Sequence, residues 1–207
     1  MGLGALLDRF NVSRESLGRL EAYVSLLLIW QQKINLIGPS TAGQVWERHV
    51  GDALQLLPLM APGVRSIADL GSGAGIPGLV IAIVSGIQAE LYESNGKKAA
   101  FLREAIRHTG ATATVHQRRI ETLRNDPAQP RADLVLARAL APLPQLLDYA
   151  EPFLAAGATG LFHKGQGIGA ELTAASEHWK LLYTMHPSVI DSHGVILEVK
   201  EALRVRS

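Results

Sequence analysis

Along the first part of the chain, apolar residues recur with the period of a helix. Leu17, Leu20, Val24, Leu27, Leu28 and Ile34 fall at helical spacing, and Ser13 stands where an N-cap side chain belongs. A second helix is expected after Gly38-Pro39-Ser40, capped by Ser40 or Thr41 and running through Trp46 and Leu54 toward Pro58. From Ser66 the period changes. Short apolar runs at 66–70, 89–93, 113–117, 133–137 and 158–163 predict strands, separated by helices over 78–84, 95–108, 143–155 and 168–178. This alternation predicts parallel βαβ units with helices on both faces of the sheet. Near the end, runs at 181–185 and 195–200 flank a turn-rich stretch and predict a closing antiparallel pair. The expected organisation is an α/β fold: an N-terminal helical extension over 1–60, then a domain over 61–207 built on a mostly parallel seven-stranded sheet. Ligands in such sheets sit at the carboxyl ends of the strands, where the strand order reverses.

The first such end carries Asp69-Leu70-Gly71-Ser72-Gly73-Ala74-Gly75-Ile76-Pro77-Gly78. Its glycines let the backbone turn sharply and approach a ligand with no Cβ intruding. Gly73-x-Gly75-x-x-Gly78 fits the dinucleotide fingerprint, and Glu93 follows where a ribose-binding acid belongs. Asp69 separates two cofactor readings. A pyrophosphate on a helix N-terminus wants positive potential, which a carboxylate opposes. S-adenosyl-L-methionine has no phosphate, carries a sulfonium and an ammonium, and offers two ribose hydroxyls that suit Glu93. Asp69 would then orient the loop and favour the cationic tail through backbone or water contacts. The plain alternative is a glycine turn needed only for helix–strand packing.

Two further elements join the candidate site. Arg118-Arg119-Ile120-Glu121 follows the third strand, where backbone and an apolar side chain could meet an adenine; an exposed helix start explains it equally well. Arg138, in Ala137-Arg138-Ala139, ends an apolar strand and is costly to bury without an anionic partner, which favours a site role.

Composition narrows the chemistry. The chain has 207 residues, 47% of them hydrophobic and 19% charged, enough for one sizeable core. Its cysteine count of 0 excludes disulfides, thiolate metal sites and cysteine nucleophiles, and no metal is expected. The start lacks a signal-peptide pattern and no apolar run is long enough to cross a bilayer, so a soluble cytoplasmic protein is expected. The formal net charge is only +1, yet residues 97–138 hold nine Lys/Arg against four Asp/Glu. That surplus suits a phosphate-contacting face or, no less well, solvated helix surfaces.

The combination of the glycine loop with Glu93-Ser-Asn-Gly-Lys-Lys98, Arg119-Ile-Glu121, Ala137-Arg-Ala139 and His163-Lys-Gly-Gln166 resembles the small-subunit ribosomal RNA methyltransferase G family, formerly called glucose-inhibited division protein B. Asn35-Leu36 and Arg48-His49-Val50-Gly51-Asp52 extend the resemblance toward the N-terminus. It implies a Rossmann-like class I methyltransferase that uses S-adenosyl-L-methionine to methylate N7 of one guanosine in the decoding-region loop of 16S ribosomal RNA. By the same resemblance Gly71 and Ile76 belong to the cofactor loop, Ile120 and Glu121 to the adenine edge, and Arg138 to the site mouth. Glu93 stands where the family more often has aspartate, Ile37 where it has threonine and Ala53 where it has serine.

The chemistry is compatible. Guanine N7 presents a free lone pair, so no proton need be removed and no general base is required. The motif Asn/Asp-Pro-Pro-aromatic, usual for exocyclic amines, does not follow the fourth strand, which reads Ala137-Arg138-Ala139-Leu140. The expected cofactor contacts are Asp69, Gly71, Gly73, Gly75, Ile76, Glu93, Ile120, Glu121 and Arg138. Arg48, His49, Lys97, Lys98, Arg119 and Lys164 are the RNA-side candidates. The expected partner is 16S ribosomal RNA within a small-subunit particle, met by a monomer with no membrane involved. Three rivals remain open at this point: an NAD-dependent oxidoreductase, a non-enzymatic RNA-binding or ribosome-assembly module, and a small-molecule methyltransferase on the same fold.

Overall fold

A computed structural model describes residues 7–126, 128 and 130–205. Helix α1, Arg14–Gln31, starts as expected, with the Ser13 hydroxyl accepting from the Ser16 amide. Its inward stripe is Ser16, Leu20, Tyr23, Val24 and Leu27, whereas Leu28 is solvent-exposed.

The expected second helix is corrected. Residues 39–54 form three short pieces: a 3-10 turn Pro39–Gln44, a π-helical turn Trp46–Gly51 and a single α turn Asp52–Leu54. Neither Ser40 nor Thr41 caps it; Gly38 holds the N-cap position, and the Thr41 hydroxyl donates to the Gly38 carbonyl instead. Periodicity near 3.6 cannot separate an α-helix from a π turn. Such wider turns are frequent at functional sites.

The strands fall within a residue or two of expectation: β1 Ser66–Leu70, β2 Gln88–Tyr92, β3 Ala113–His116, β4 Leu134–Arg138 and β5 Thr159–Lys164. Between them run α2 Gly78–Ser85, α3 Gly96–Thr109, α4 Leu143–Leu154 and α5 Ile168–Ser176. Helix α3 is bounded by local chemistry: Asn95 Oδ1 accepts from the Lys97 and Lys98 amides, and Gly110 closes the other end in the left-handed conformation. The last pair, β6 Trp179–Pro187 and β7 Val195–Arg204, is longer than the apolar runs suggested. Cross-strand pairing continues past them, with a register shift between Leu182 and Tyr183.

The sheet order is β3-β2-β1-β4-β5-β7-β6, parallel except for β7. β1 and β4 are neighbours although β2 and β3 separate them in sequence, so the order reverses between them. That reversal opens the crevice in which open α/β sheets bind ligands. One core cluster on the sheet's first face joins Leu20, Tyr23 and Leu27 of α1 to Leu79, Phe101 and Ile67. The opposite face packs Phe153, Leu147, Phe162 and Leu197. The N-terminal helix therefore shares the core of the sheet domain.

Candidate functional site

The glycine loop leaves β1 at Leu70, and Gly71, Gly73 and Gly75 all have positive φ, from +55° to +83°. A side chain at these positions would be strained in any surroundings. Three side chains anchor the loop. Asp69 Oδ2 accepts from the Gly78 amide at 3.1 Å, and Glu93 Oε2 accepts from the Gly73 amide at 2.9 Å while its Oε1 accepts from the Asn95 amide at 2.7 Å. The third, outside the sequence expectation, is Tyr23, fully buried on α1, which donates its hydroxyl to the Ala74 carbonyl at 2.7 Å. Gln31, at the end of the same helix, accepts from the Leu36 and Ile37 amides. A cleft of about 260 Å³ lies over the loop, walled by Gly71, Gly73, Ala74, Lys98, Arg138 and Ala139 among others.

Asp69 orients the loop from below, through the Gly78 amide. It is 1% exposed and lies beneath the loop rather than on the cleft wall, with Oδ1 buried and unpartnered. Burial pushes its carboxyl up to about 7, partly offset by the Gly78 and Ser72 hydrogen bonds.

Arg138 organises the other wall. Its Nε meets Asp52 Oδ2 at 2.8 Å, Nη2 donates to the Arg48 carbonyl at 2.9 Å, and Nη1 donates to His49 Nδ1 at 3.1 Å. The π turn thus presents a carbonyl, an imidazole and the carboxylate just after it to one guanidinium. His49 is not the RNA-side cation expected. It is buried, and desolvation, followed by the Arg138 and Arg48 charges, pulls its pKa down to about 4. Asp52 also receives His163, whose Nε2 donates to the Asp52 carbonyl at 2.9 Å and whose Nδ1 is buried without a partner.

Beyond Arg138 a second cleft, of about 530 Å³, opens over the ends of β4 and β5. Arg138 and Ala139 belong to both clefts. Its far wall carries Lys164 and Glu171, and its outer edge is the turn 187–194. Gln55 Oε1 ties that turn down by accepting from Ser188 and Val189, and Arg48 pairs with Asp191 at 3.6 Å.

Lys164, expected to face RNA, is corrected. Its side chain is 6% exposed, and Nζ donates to Glu171 Oε2 at 2.6 Å and to the Ala141 carbonyl at 2.9 Å. Lys97 is exposed and Lys98 half-buried at the head of α3. Arg119 is exposed, 4.0 Å from Glu121. Ile120 and Glu121 begin the 3-10 segment Ile120–Asn125 past β3, where Ile120 packs on the second core cluster and no hydrogen bond among the described residues joins either to the glycine loop. Tyr23, Asp52 and Glu171 are absent from the expected site residues. Tyr23 carries a signal in its place on the inward stripe of α1, and Asp52 in closing the motif Arg48-His49-Val50-Gly51-Asp52; Glu171 carries none.

The residues suit S-adenosyl-L-methionine better than a dinucleotide. The α2 N-terminus, where a pyrophosphate would rest, is already met by the Asp69 carboxylate. Space above the loop is free: a Cβ built on Gly73 would find only the Gly71 carbonyl, at 3.7 Å. Each Glu93 oxygen keeps a lone pair for a ribose hydroxyl beside its amide. Among the described residues no group of three or more His, Cys, Asp or Glu could hold a metal ion.

Comparison with known proteins gives the fold and the family. Solved structures with the same fold include a TehB-like S-adenosylmethionine-dependent methyltransferase from Corynebacterium glutamicum, with TM-score 0.53 and 18% identity over 78% of this chain and 92% of that one. Another is a mutant of MtNAS in complex with S-adenosylmethionine, with TM-score 0.56 and 15% identity over 88% of this chain and 75% of that one. The Ribosomal RNA small subunit methyltransferase G of Paramagnetospirillum magneticum is 46% identical over 100% of this chain and 99% of its own length. That of Methylorubrum populi is 50% identical over 97% of this chain and 95% of its own. The family model described as rRNA small subunit methyltransferase G matches residues 16–199. The chain belongs to the rRNA small subunit methyltransferase G family.

Proposed function

We propose that the protein transfers a methyl group from S-adenosyl-L-methionine to N7 of one guanosine in 16S ribosomal RNA, presented within a small-subunit particle. The observation that carries this reading is the meeting of the two clefts at Arg138 and Ala139. A cofactor on the glycine loop and a nucleobase over β4 and β5 would face each other across the end of a single strand.

When bound, the cofactor supplies an electrophilic methyl on a sulfonium. The protein's own work is positioning. N7 attacks with a lone pair already in the plane of the base, no proton leaves it, and proximity accounts for much of the acceleration. The product base carries the positive charge that the sulfonium loses, so the site has to tolerate a cation. Its charge balance supports this: Asp52 neutralises Arg138, and His49 stays uncharged between two arginines. Lys97 and Lys98, with Arg119, offer cations for phosphates. Arg118, Arg124 and Arg107 are paired within the chain, to Asp126, Glu151 and Glu104. This reading implies a cytoplasmic encounter by a monomer, and among the described residues no helix is long and apolar enough to cross a membrane.

Small-subunit particles from a strain lacking the gene, incubated with the protein and tritiated S-adenosylmethionine, should gain label in 16S RNA. Cofactor-independent RNA binding with no incorporation would favour an assembly module instead.

A further inference from the structure

The second cleft contains an ion pair that none of the steps above uses. Lys164 Nζ and the Leu143 amide both donate to one oxygen of Glu171, Oε2, each at 2.6 Å. The other oxygen, Oε1, has no hydrogen bond among the described residues, although Glu171 lines the cleft and its side chain is 28% exposed. The carboxylate is therefore fixed by one oxygen, with an acceptor to spare. Lys164, with two of its three ammonium hydrogens engaged, also keeps one donor.

Sheet order sets the position of this pair relative to the cofactor loop. The loop follows β1, Arg138 ends β4, Lys164 ends β5, and adjacent strands lie about 4.8 Å apart. Lys164 thus ends the strand on the far side of Arg138 from the glycine loop, and Glu171 is bonded to it. A guanine whose N7 is turned toward the loop presents its opposite edge, with the N1–H and N2–H donors, toward that side. We propose that Glu171 is the specificity-determining residue for the acceptor base, its Oε1 accepting from the N2–H donor on the Watson–Crick edge of guanine. The spare Lys164 hydrogen matches the guanine O6 acceptor. Adenine would set its N1 lone pair against the carboxylate. A site built to pair a donor rejects a base that lacks it far better than a merely apolar pocket does. This inference rests on the guanine-N7 reading.

The test uses small-subunit particles whose 16S RNA carries either guanosine or inosine at the target; inosine lacks only the 2-amino group. With wild-type protein, kcat/KM should fall about tenfold or more on inosine. Glu171→Gln, which puts an amide donor where guanine's donors arrive, should lose about as much on guanosine and bring the guanosine-to-inosine ratio close to one. Its S-adenosylmethionine affinity should stay at the wild-type value, and Glu171→Asp should recover part of the discrimination. Equal wild-type rates on the two particles would overturn the inference without recourse to any variant, as would a Glu171→Gln protein that keeps the wild-type ratio. Failure of the wild-type protein to methylate the guanosine particle is a different result, and removes the guanine-N7 reading together with this subsite.

Discussion

Arg138 and His49, 89 positions apart in sequence, share a hydrogen bond that fixes the imidazole tautomer. The guanidinium can only donate, so Nδ1 is the acceptor, and the ring proton sits on Nε2, 2.8 Å from Thr41 Oγ1. Thr41 spends its own hydrogen on the Gly38 carbonyl. Arg138, His49, Thr41 and Gly38 therefore form one directed chain from the end of β4 to the N-terminal segment that walls the glycine cleft. Protonating His49 breaks it.

That chain has a pH signature. The His49 pKa falls from 6.5 to about 4 on folding, so between these values the unfolded chain binds a proton that the native state refuses. The stabilisation is fully present above pH 6.5 and is lost as pH drops through 4. The stability gap between wild type and His49→Gln, from urea titrations, should widen by about 2 kcal/mol from pH 4 to pH 6.5 and then level off. Parallel curves would mean that His49 titrates normally.

Asp69 has the opposite sign. Its carboxyl rises from 3.8 to about 7, so the native state holds a proton that the unfolded chain has released. This contribution is complete below pH 3.8 and disappears as pH rises through 7. Asp69→Asn cannot ionise, and its amide oxygen can still accept from Gly78. Relative to wild type it should gain about 2–3 kcal/mol of stability between pH 5 and pH 8, read from chemical unfolding midpoints.

Two glycines of the loop should fail differently. At Gly73, where φ is +55° and the Cβ direction is open, alanine costs roughly 1 kcal/mol of backbone strain. The protein should fold, and calorimetric titration should show weakened S-adenosylmethionine binding. At Gly78 a Cβ would sit 2.6 Å from the Asp69 Cβ, and neither backbone can easily give way. Gly78→Ala should lose about 2–3 kcal/mol of stability.

The contrast between these positions reflects what a sequence encodes locally. The strands, the Ser13 cap and the glycine loop were legible because periodicity, capping and turn chemistry act over a few residues. The tightly bonded state of Lys164 was not. Its side chain is neutralised by Glu171 one helical turn into α5, and a lysine at a strand end reads from sequence as a solvated cation. The π turn at Trp46–Gly51 was hidden for a related reason, since Asp52 and His49 are drawn toward a guanidinium contributed by β4. Tyr23 reads as one more apolar position on α1, and its bond to the Ala74 carbonyl becomes visible only once α1 is packed beside the loop.

Arg138→Ala removes the partner of Asp52 and His49 together. Both acidic and basic side chains are largely shielded, 12% and 22% exposed, so about 3 kcal/mol of stability should be lost. Methyl transfer at a temperature where the variant is still folded should fall by at least an order of magnitude more than the loss of folded protein explains. Wild-type turnover in the folded variant would reduce Arg138 to a structural clasp.

The most direct measurement is the position of the transferred methyl group. Small-subunit particles methylated by the wild-type protein are digested to nucleosides and resolved by mass spectrometry against standards. The expected product is 7-methylguanosine, with one equivalent per particle at saturation. A methyl group on an exocyclic amine, a ribose hydroxyl or a pyrimidine carbon would contradict methylation at guanine N7.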